Sequence, residues 1–354
     1  MSIFNRISDS PGEWLNSSGP FSDIVLSCRI RLARNIDKIR FPEYMDDIES
    51  ADVKNNLKNA IKFCPSFKSP EFYEMNQLTP AERLILLERH LISKQLASKK
   101  EGMLILQSDE KLSVMINEED HLRIQSIDSG LRLFENWETI NEFDKQLETQ
   151  IKFAFSNEFG YLTACPTNAG TGMRCSILVH LPGIIMINQL KKINSAIEKL
   201  GLTIRGYYGE GTESIGNFFQ ISNQITIGKT EEKIIEKIDN IAKQIVEHEK
   251  NARKILLQES RMRLEDQIFR SYGILKNARI IATNETMALL SMIRLGVDLE
   301  ILNNISIKTL NDILIYLQPG HLQKIYANDA NLDKNPEKRD IIRAQMIREK
   351  FLVD

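Results

Sequence analysis

The sequence predicts an α+β fold, a mainly antiparallel β-sheet flanked by helices and followed by an all-α C-terminal domain. Three observations carry that expectation. Strand-like runs follow one another in hairpin fashion, helical stripes interrupt them only at intervals, and after Gly228 the pattern is almost wholly helical. A regular βαβ alternation would place a helical stripe after every strand.

Taken in order, Thr79-Pro80-Ala81-Glu82 is a capping box with proline at the first helical position, and Leu84, Leu87, Leu91 and Ile92 follow at helical spacing. A helix is expected over 79–100. Gly102 then opens GMLILQ, Ser108-Asp109 signals a turn, and KLSVMIN and HLRIQSI complete an antiparallel meander. Residues 130–155 carry a helical stripe through Leu133, Trp137, Ile140, Phe143, Leu147 and Ile151, and residues 184–200 carry another that ends on Gly201 as a C-cap. RCSILVHL, LTIRGY and FFQISNQITI supply further strands. The helical region should break near Gly273, Gly296, Pro319-Gly320 and Asn335-Pro336. A boundary near residue 255 gives a domain over 1–255, with its core from about 21, and a helical domain over 256–354.

The composition is that of a soluble globular chain: 354 residues, 42% hydrophobic and 27% charged. A net charge of −2 offers no global attraction to nucleic acid or anionic lipid, so anion binding must come from local basic clusters. The N-terminus lacks the apolar run of a signal peptide and no stretch has the length of a membrane span, which predicts a cytoplasmic protein. Cys28, Cys64, Cys165 and Cys175 form no C-x-x-C pair and have no histidine neighbours, so neither disulfides nor a structural metal site is expected. Each cysteine is then a buried small hydrophobe or a reactive thiol.

Four motifs could carry chemistry. Asn117-Glu118-Glu119-Asp120-His121-Leu122-Arg123 lies between predicted strands, and alone it reads equally as an acidic hairpin turn. Cys165-Pro166-Thr167-Asn168-Ala169-Gly170-Thr171-Gly172-Met173-Arg174 is a turn-rich loop entering a strand, compatible with a tight connection holding a buried cysteine. Arg205-Gly206-Tyr207-Tyr208-Gly209-Glu210-Gly211-Thr212-Glu213 brackets a carboxylate with glycines. Ser27-Cys28-Arg29-Ile30-Arg31 reads as a strand with both arginines on one face. No P-loop and no properly placed G-x-G-x-x-G is present, so a phosphate binder here would be arginine.

Together and in this order, the four resemble the catalytic domain of the phosphagen kinases, which phosphorylate guanidino compounds such as arginine and creatine. The resemblance spans roughly residues 21–255 and rests above all on NEEDHLR and CPTN-x-GT. It implies ATP and Mg²⁺ as cofactors, the ion carried by phosphates and water with no metal site on the protein. It also implies a phosphate clamp of Arg29, Arg31, Arg123, Arg174 and Arg205. Nucleotide-binding stretches would be Ser27, Cys28, Arg29, Ile30 and Arg31; Arg174, Cys175, Ser176, Ile177 and Leu178; and Arg205, Gly206, Tyr207, Tyr208, Gly209 and Glu210. Glu119 and Glu210 would grip the acceptor guanidinium as catalytic carboxylates, and Cys165 would orient it as a thiolate. By the same resemblance His90 lines the nucleotide pocket, although a histidine on a helix face is as often structural. Cys28 stands where serine is usual and Leu178 where several metabolite kinases have a histidine.

The layout is similar to the bacterial protein-arginine branch of that family, since the large helical domain that precedes the catalytic domain in metabolite kinases is missing and a helical domain follows instead. Arg339-Asp340-Ile341-Ile342-Arg343-Ala344 matches that branch's R-D-x-x-R-A motif, which implies a phosphoarginine-binding site at Arg339, Asp340, Arg343 and Ala344. Arg339 and Arg343, at i and i+4, could hold one anion between two forks or simply form a solvated basic face. The branch implies protein substrates with exposed arginine, a Clp chaperone-protease, a heat-shock gene repressor and a zinc-binding activator as partners, and a homodimer. A metabolite kinase for free arginine and a non-catalytic phosphoarginine-binding adaptor are the rival readings.

Overall fold

The computed structural model describes residues 3–7, 10–207, 214–326, 332 and 335–353. Its N-terminal half runs β1 (Val25–Arg34), α1 (Asp47–Ile61), β2 (Pro70–Glu74), α2 (Pro80–Glu88), α3 (Lys94–Ser98), β3 (Met103–Gln107), β4 (Leu112–Ile116), β5 (Leu122–Ser129) and α4 (Leu133–Glu148). A small hairpin of β6 (Phe155–Ser156) and β7 (Gly160–Tyr161) precedes β8 (Met173–His180), α5 (Pro182–Met186), α6 (Leu190–Lys199), β9 (Leu202–Gly206), β10 (Phe218–Asn223) and the long α7 (Glu231–Glu259). The helical region then holds α8 (Arg261–Asn277), α9 (Thr283–Asp298), α10 (Ile307–Tyr316), α11 (Pro319–Ile325) and α12 (Pro336–Val353). Among the described residues no helix is long and apolar enough to cross a membrane.

Eight strands form one sheet in the order β2-β3-β4-β5-β1-β8-β10-β9, with every neighbouring pair antiparallel. The strand period of two divides its residues between two faces. Cys28, Ile30, Leu122, Ile124, Cys175 and Ile177 pack with Val53, Phe143, Ile238 and Ala242 of α1, α4 and α7 on one side. The opposite face is covered in two places. Leu104, Leu106 and Met115 pack under α2, α3 and the N-terminal turn, while Leu26, Ile127, Leu178 and Phe218 pack under the C-terminal helices. Between these apolar covers a polar strip of the central strands stays open, and the site lies there.

The meander and the strands after it lie where their sequence places them, and Gly201 takes φ +68 just past α6. The helix expected over 79–100 is instead two. Thr79 and Glu82 form the capping box, but α2 stops at Glu88, His90 adopts φ +59, and α3 restarts at Ser93 as N-cap. The break follows from tertiary demands on Glu88 and Arg89, whose carboxylate and guanidinium bond to α11 and Glu110 respectively. The helical region does break near Gly273 and Gly296, with α8 ending at Asn277 and α9 at Asp298, although both glycines lie just inside those helices. At Gly296 a Cβ would sit 2.5 Å from Ile268 Cγ2, so this glycine serves close helix packing. α7 continues past residue 255 to Glu259, and the chain turns at Ser260.

Candidate active site

β1 sends Arg29 and Arg31 to the open face, and β5, β8 and β9 add Arg123, Arg174 and Arg205. With Glu119, Cys165 and His90 they line one cleft of about 650 Å³. An adjoining recess is formed by Ser27, Ser176, Leu178 and Tyr207 together with Arg29 and His90. Cys28, Ile30, Cys175 and Ile177, expected in nucleotide-binding stretches, pack in the core on the other face. The Cys28 sulfur accepts from Arg132 N and Asn136 Nδ2, and burial pushes its thiol up to about 12. Gly206 pairs with Phe219 at the end of β9. Tyr208, Gly209 and Glu210 lie outside the described residues.

The NEEDHLR turn is held residue by residue. Asn117, at φ +56, donates through its amide to Ser50 O and Oγ at 3.0 and 2.9 Å. Glu118 is fully buried and accepts from Arg123 Nη1 at 2.7 Å and from Ser93 Oγ. Glu119 faces the cleft and accepts from Arg123 Nη2 at 2.9 Å. Asp120 Oδ1 accepts from Asn35 Nδ2 and from Ala164 N, each at 2.7 Å, which ties this turn to the backbone beside Cys165. The two motifs, joined by a bond that spans 44 residues of sequence, are thereby locked side by side. His121 accepts at Nδ1 from Ile36 N (3.0 Å) and donates from Nε2 to Arg40 O (2.8 Å), so its role is structural and its tautomer neutral.

The cysteine loop is shaped by glycines. Gly172 has φ +64, and a Cβ there would meet Ala33 O at 2.6 Å. Cys165 Sγ lies partly exposed, 3.0 Å from Thr167 Oγ1. Arg174 is steadied by Ser222 Oγ at 3.0 Å. Sequence reasoning passed over Ser222 and Gln220, although their i, i+2 spacing in FFQISN is a signal that both face the cleft with Arg174. It also passed over the buried Glu118 as the second partner of Arg123.

The charge balance is one-sided. Burial, then the neighbouring Arg174 and Arg123, lower the Arg29 guanidinium to about 10. Burial and the surrounding arginines likewise depress Arg31 and Arg174. The Nε groups of Arg31 and Arg174 are buried without a hydrogen-bond partner. Crowded cations with spare planar donors are suited to a polyanion with several oxygens, as a polyphosphate has. Burial also takes the His90 imidazole down to about 3, so at neutral pH it stands uncharged against that anion site.

At the R-D-x-x-R-A segment, Arg343 is turned into the helical domain. It donates from Nε to Leu317 O (2.9 Å) and from Nη1 to Ile281 O (2.8 Å) and Asp340. Arg339 donates to Leu332 O at 2.7 Å, and Ala344 is buried. The fork of Arg343 is thus engaged by carbonyls and not open on a common helical face with Arg339.

Residues 52–252 match the family model of the ATP:guanido phosphotransferase C-terminal catalytic domain, and residues 261–353 match that of the protein-arginine kinase McsB C-terminal domain. Over its whole length the chain is 44% identical to the protein-arginine kinase of Bacillus licheniformis, covering 97% of it, and 43% identical to that of Bacillus cereus, covering 99%. Among solved structures, a lombricine kinase aligns with 67% of this chain and 69% of its own at a TM-score of 0.58 and 24% identity, a likeness of fold. The duplicated taurocyamine kinase of Schistosoma mansoni aligns at a TM-score of 0.60 and 26% identity, over 70% of this chain and 36% of its own.

Proposed function

This chain belongs to the ATP:guanido phosphotransferase family, and on that premise we propose that it is a protein-arginine kinase moving the γ-phosphoryl group of ATP onto arginine side chains of proteins. The observation that carries this reading is the gathering of five arginines, Glu119 and Cys165 in one cleft, followed by a C-terminal domain matching that of protein-arginine kinases.

The residues divide the work. Phosphoryl transfer needs chiefly alignment and charge neutralisation, which Arg29, Arg31, Arg123, Arg174 and Arg205 supply around the phosphates. Mg²⁺ would enter with the nucleotide, held by phosphate and water, and would neutralise part of the phosphate charge. The acceptor guanidinium has a pKa above about 12, and freeing its lone pair at pH 7 costs roughly 7 kcal/mol. Glu119, held by Arg123, would align one nitrogen and take its proton as the N–P bond forms and the bond to the leaving ADP oxygen breaks. Glu210 is proposed as the second carboxylate, and Cys165 as the group that orients the cation.

The wider reading follows the same branch. We propose a cytoplasmic enzyme acting with a Clp chaperone-protease, a heat-shock gene repressor and a zinc-binding activator. Binding of phosphoarginine at Arg339, Asp340, Arg343 and Ala344 would require Arg343 to exchange its carbonyl partners for phosphate oxygens. A homodimer is supported by the apolar side chains Met262 and Phe269, 78% and 51% exposed on α8. The deciding experiment is mass spectrometry of a casein-like protein after incubation with Mg-ATP, under conditions that preserve N–P bonds. Phosphoarginine in the protein is expected. Rapid phosphorylation of free arginine with none in the protein would replace this reading with a metabolite arginine kinase.

A further inference from the structure

Three consecutive residues at the end of α2 face three different parts of the molecule. The Glu88 carboxylate accepts from Gly320 N (2.7 Å), His321 N (3.1 Å) and His321 Nδ1 (2.7 Å), all at the start of α11 in the helical domain. Arg89, 1% exposed, pairs with both carboxylate oxygens of Glu110 and donates to Ser10 O. His90 then leaves the helix at φ +59, with its carbonyl accepting from Gln125 Nε2 at 2.7 Å and its ring between Trp14 and Tyr207 at centroid distances of 5.0 and 4.9 Å. That ring lines both the arginine cleft and the adjoining recess, and its buried Nε2 has no partner.

The docking of α11 on α2 is tight. A Cβ on Gly320 would lie 2.9 Å from Glu88 Oε2 and 3.0 Å from Ile85 N, so only glycine lets the α11 backbone approach this closely. The pair of His321 and Glu88 is sealed from water, with side-chain exposures of 0% and 7%. A backbone torsion that non-glycine residues seldom adopt, two residues beyond such an anchor, is held by its surroundings and not by local preference. Moving α11 would move Glu88 and with it the His90 ring.

We propose that Glu88 is a positioning residue for nucleotide binding: through its three bonds to Gly320 and His321, the C-terminal helical domain sets the place of His90 at the nucleotide subsite. This rests on the reading that the cleft takes ATP. Gln at position 88 would present an amide NH₂ toward donors, so α11 would shift while the arginines and Glu119 stay intact.

The test uses the full chain. E88Q and G320A should each raise KM for ATP and Kd for ADP by about fivefold or more, while KM for the protein acceptor stays within about twofold. H321N keeps a side-chain donor toward Glu88 and should retain near wild-type nucleotide affinity, whereas H321L should lose it. K324A, which removes only a 3.9 Å ion pair to Glu82 at the rim of the same helix contact, should change nothing. In a W137F background the emission of Trp14, packed on His90, should shift in E88Q and G320A before any nucleotide is added. If E88Q, G320A and H321L lower the melting temperature yet leave KM for ATP, Kd for ADP and Trp14 emission at wild-type values, α11 is only a brace and the proposal is wrong. A wild-type chain that binds no ADP would remove the nucleotide reading instead, while the Trp14 emission still decides whether α11 places His90.

Discussion

In the cleft, Arg29, Arg31 and Arg174 stand against one another and the Nε groups of Arg31 and Arg174 lack a partner, whereas at the seam between sheet and helical domain Arg253 is paired with buried carboxylates. At the seam Glu249, fully buried, caps α5 through Gly183 N and Ile184 N at 2.9 Å each and receives Arg253 Nε at 2.9 Å. Arg253 also reaches Asp298 and Asp23, and Arg294 donates to Asn311 and Ser22 O. The same residue types therefore do opposite work. Paired buried ions fix how two layers dock, while like charges left facing each other cost stability that a bound polyanion would return. Function is concentrated where pairing is withheld.

The carboxylate beside the arginines separates the two kinds of site most directly. Glu119→Gln should lower kcat by about 10²–10⁴, with the melting temperature close to wild type, as a phosphoryl-transfer assay and a thermal melt on one preparation would show. A stability loss as large as that of a seam variant would erase the distinction. At the seam, Glu249→Ala should cost about 3–5 kcal/mol in urea unfolding, because Arg253 and two helix N–H groups lose their acceptor. The ADP affinity of the molecules still folded should not change.

A smaller effect with opposite sign sharpens the contrast. Arg31→Met should stabilise the nucleotide-free protein by about 1–2 kcal/mol, since a crowded cation is removed from a buried site. The same variant should lose the rise in melting temperature that ATP confers on wild type. The smallest effect concerns pH. Burial, reinforced by Arg294 and Arg253, holds His180 well below its ordinary 6.5. The unfolded chain therefore takes up a proton that the folded one refuses, and this contribution is fully present above pH 6.5 and lost as pH falls below it. One such histidine accounts for about 0.7 kcal/mol between pH 7 and 6. His180→Asn should flatten the stability profile by that amount, measured by urea unfolding at the two pH values.

Much of this molecule was legible before folding was considered. GMLILQ, KLSVMIN and HLRIQSI became β3, β4 and β5, and the capping box at Thr79 starts α2, because each depends on side chains only a few positions apart. The lysine- and asparagine-rich α1 escaped notice, since Val53, Leu57, Ala60 and Ile61 are the only apolar side chains in a narrow row that it buries, set among polar residues beyond the Asp46 cap. β2 begins with proline at the edge of the sheet and is half-buried throughout, so it lacks the alternation that marks a covered strand. Cys28, Ile30 and Cys175 show the same limit within the site: they sit inside nucleotide-binding stretches, yet strand alternation turns them into the core.

By itself the sequence determined the local grammar and the chemistry: alternating strands, helix caps, arginines two apart on β1, and a carboxylate pair followed by arginine in NEEDHLR. Those features rest on short-range geometry that residue identity dictates. Only the tertiary structure decided which sheet face stays uncovered, that Asp120 locks the carboxylate turn to the cysteine loop, that Arg343 spends its donors on carbonyls, and that Glu88 ends a helix early to hold α11. Each of these is a hydrogen bond or a packing contact between segments far apart in the chain, and its energy is realised only when both sides arrive together.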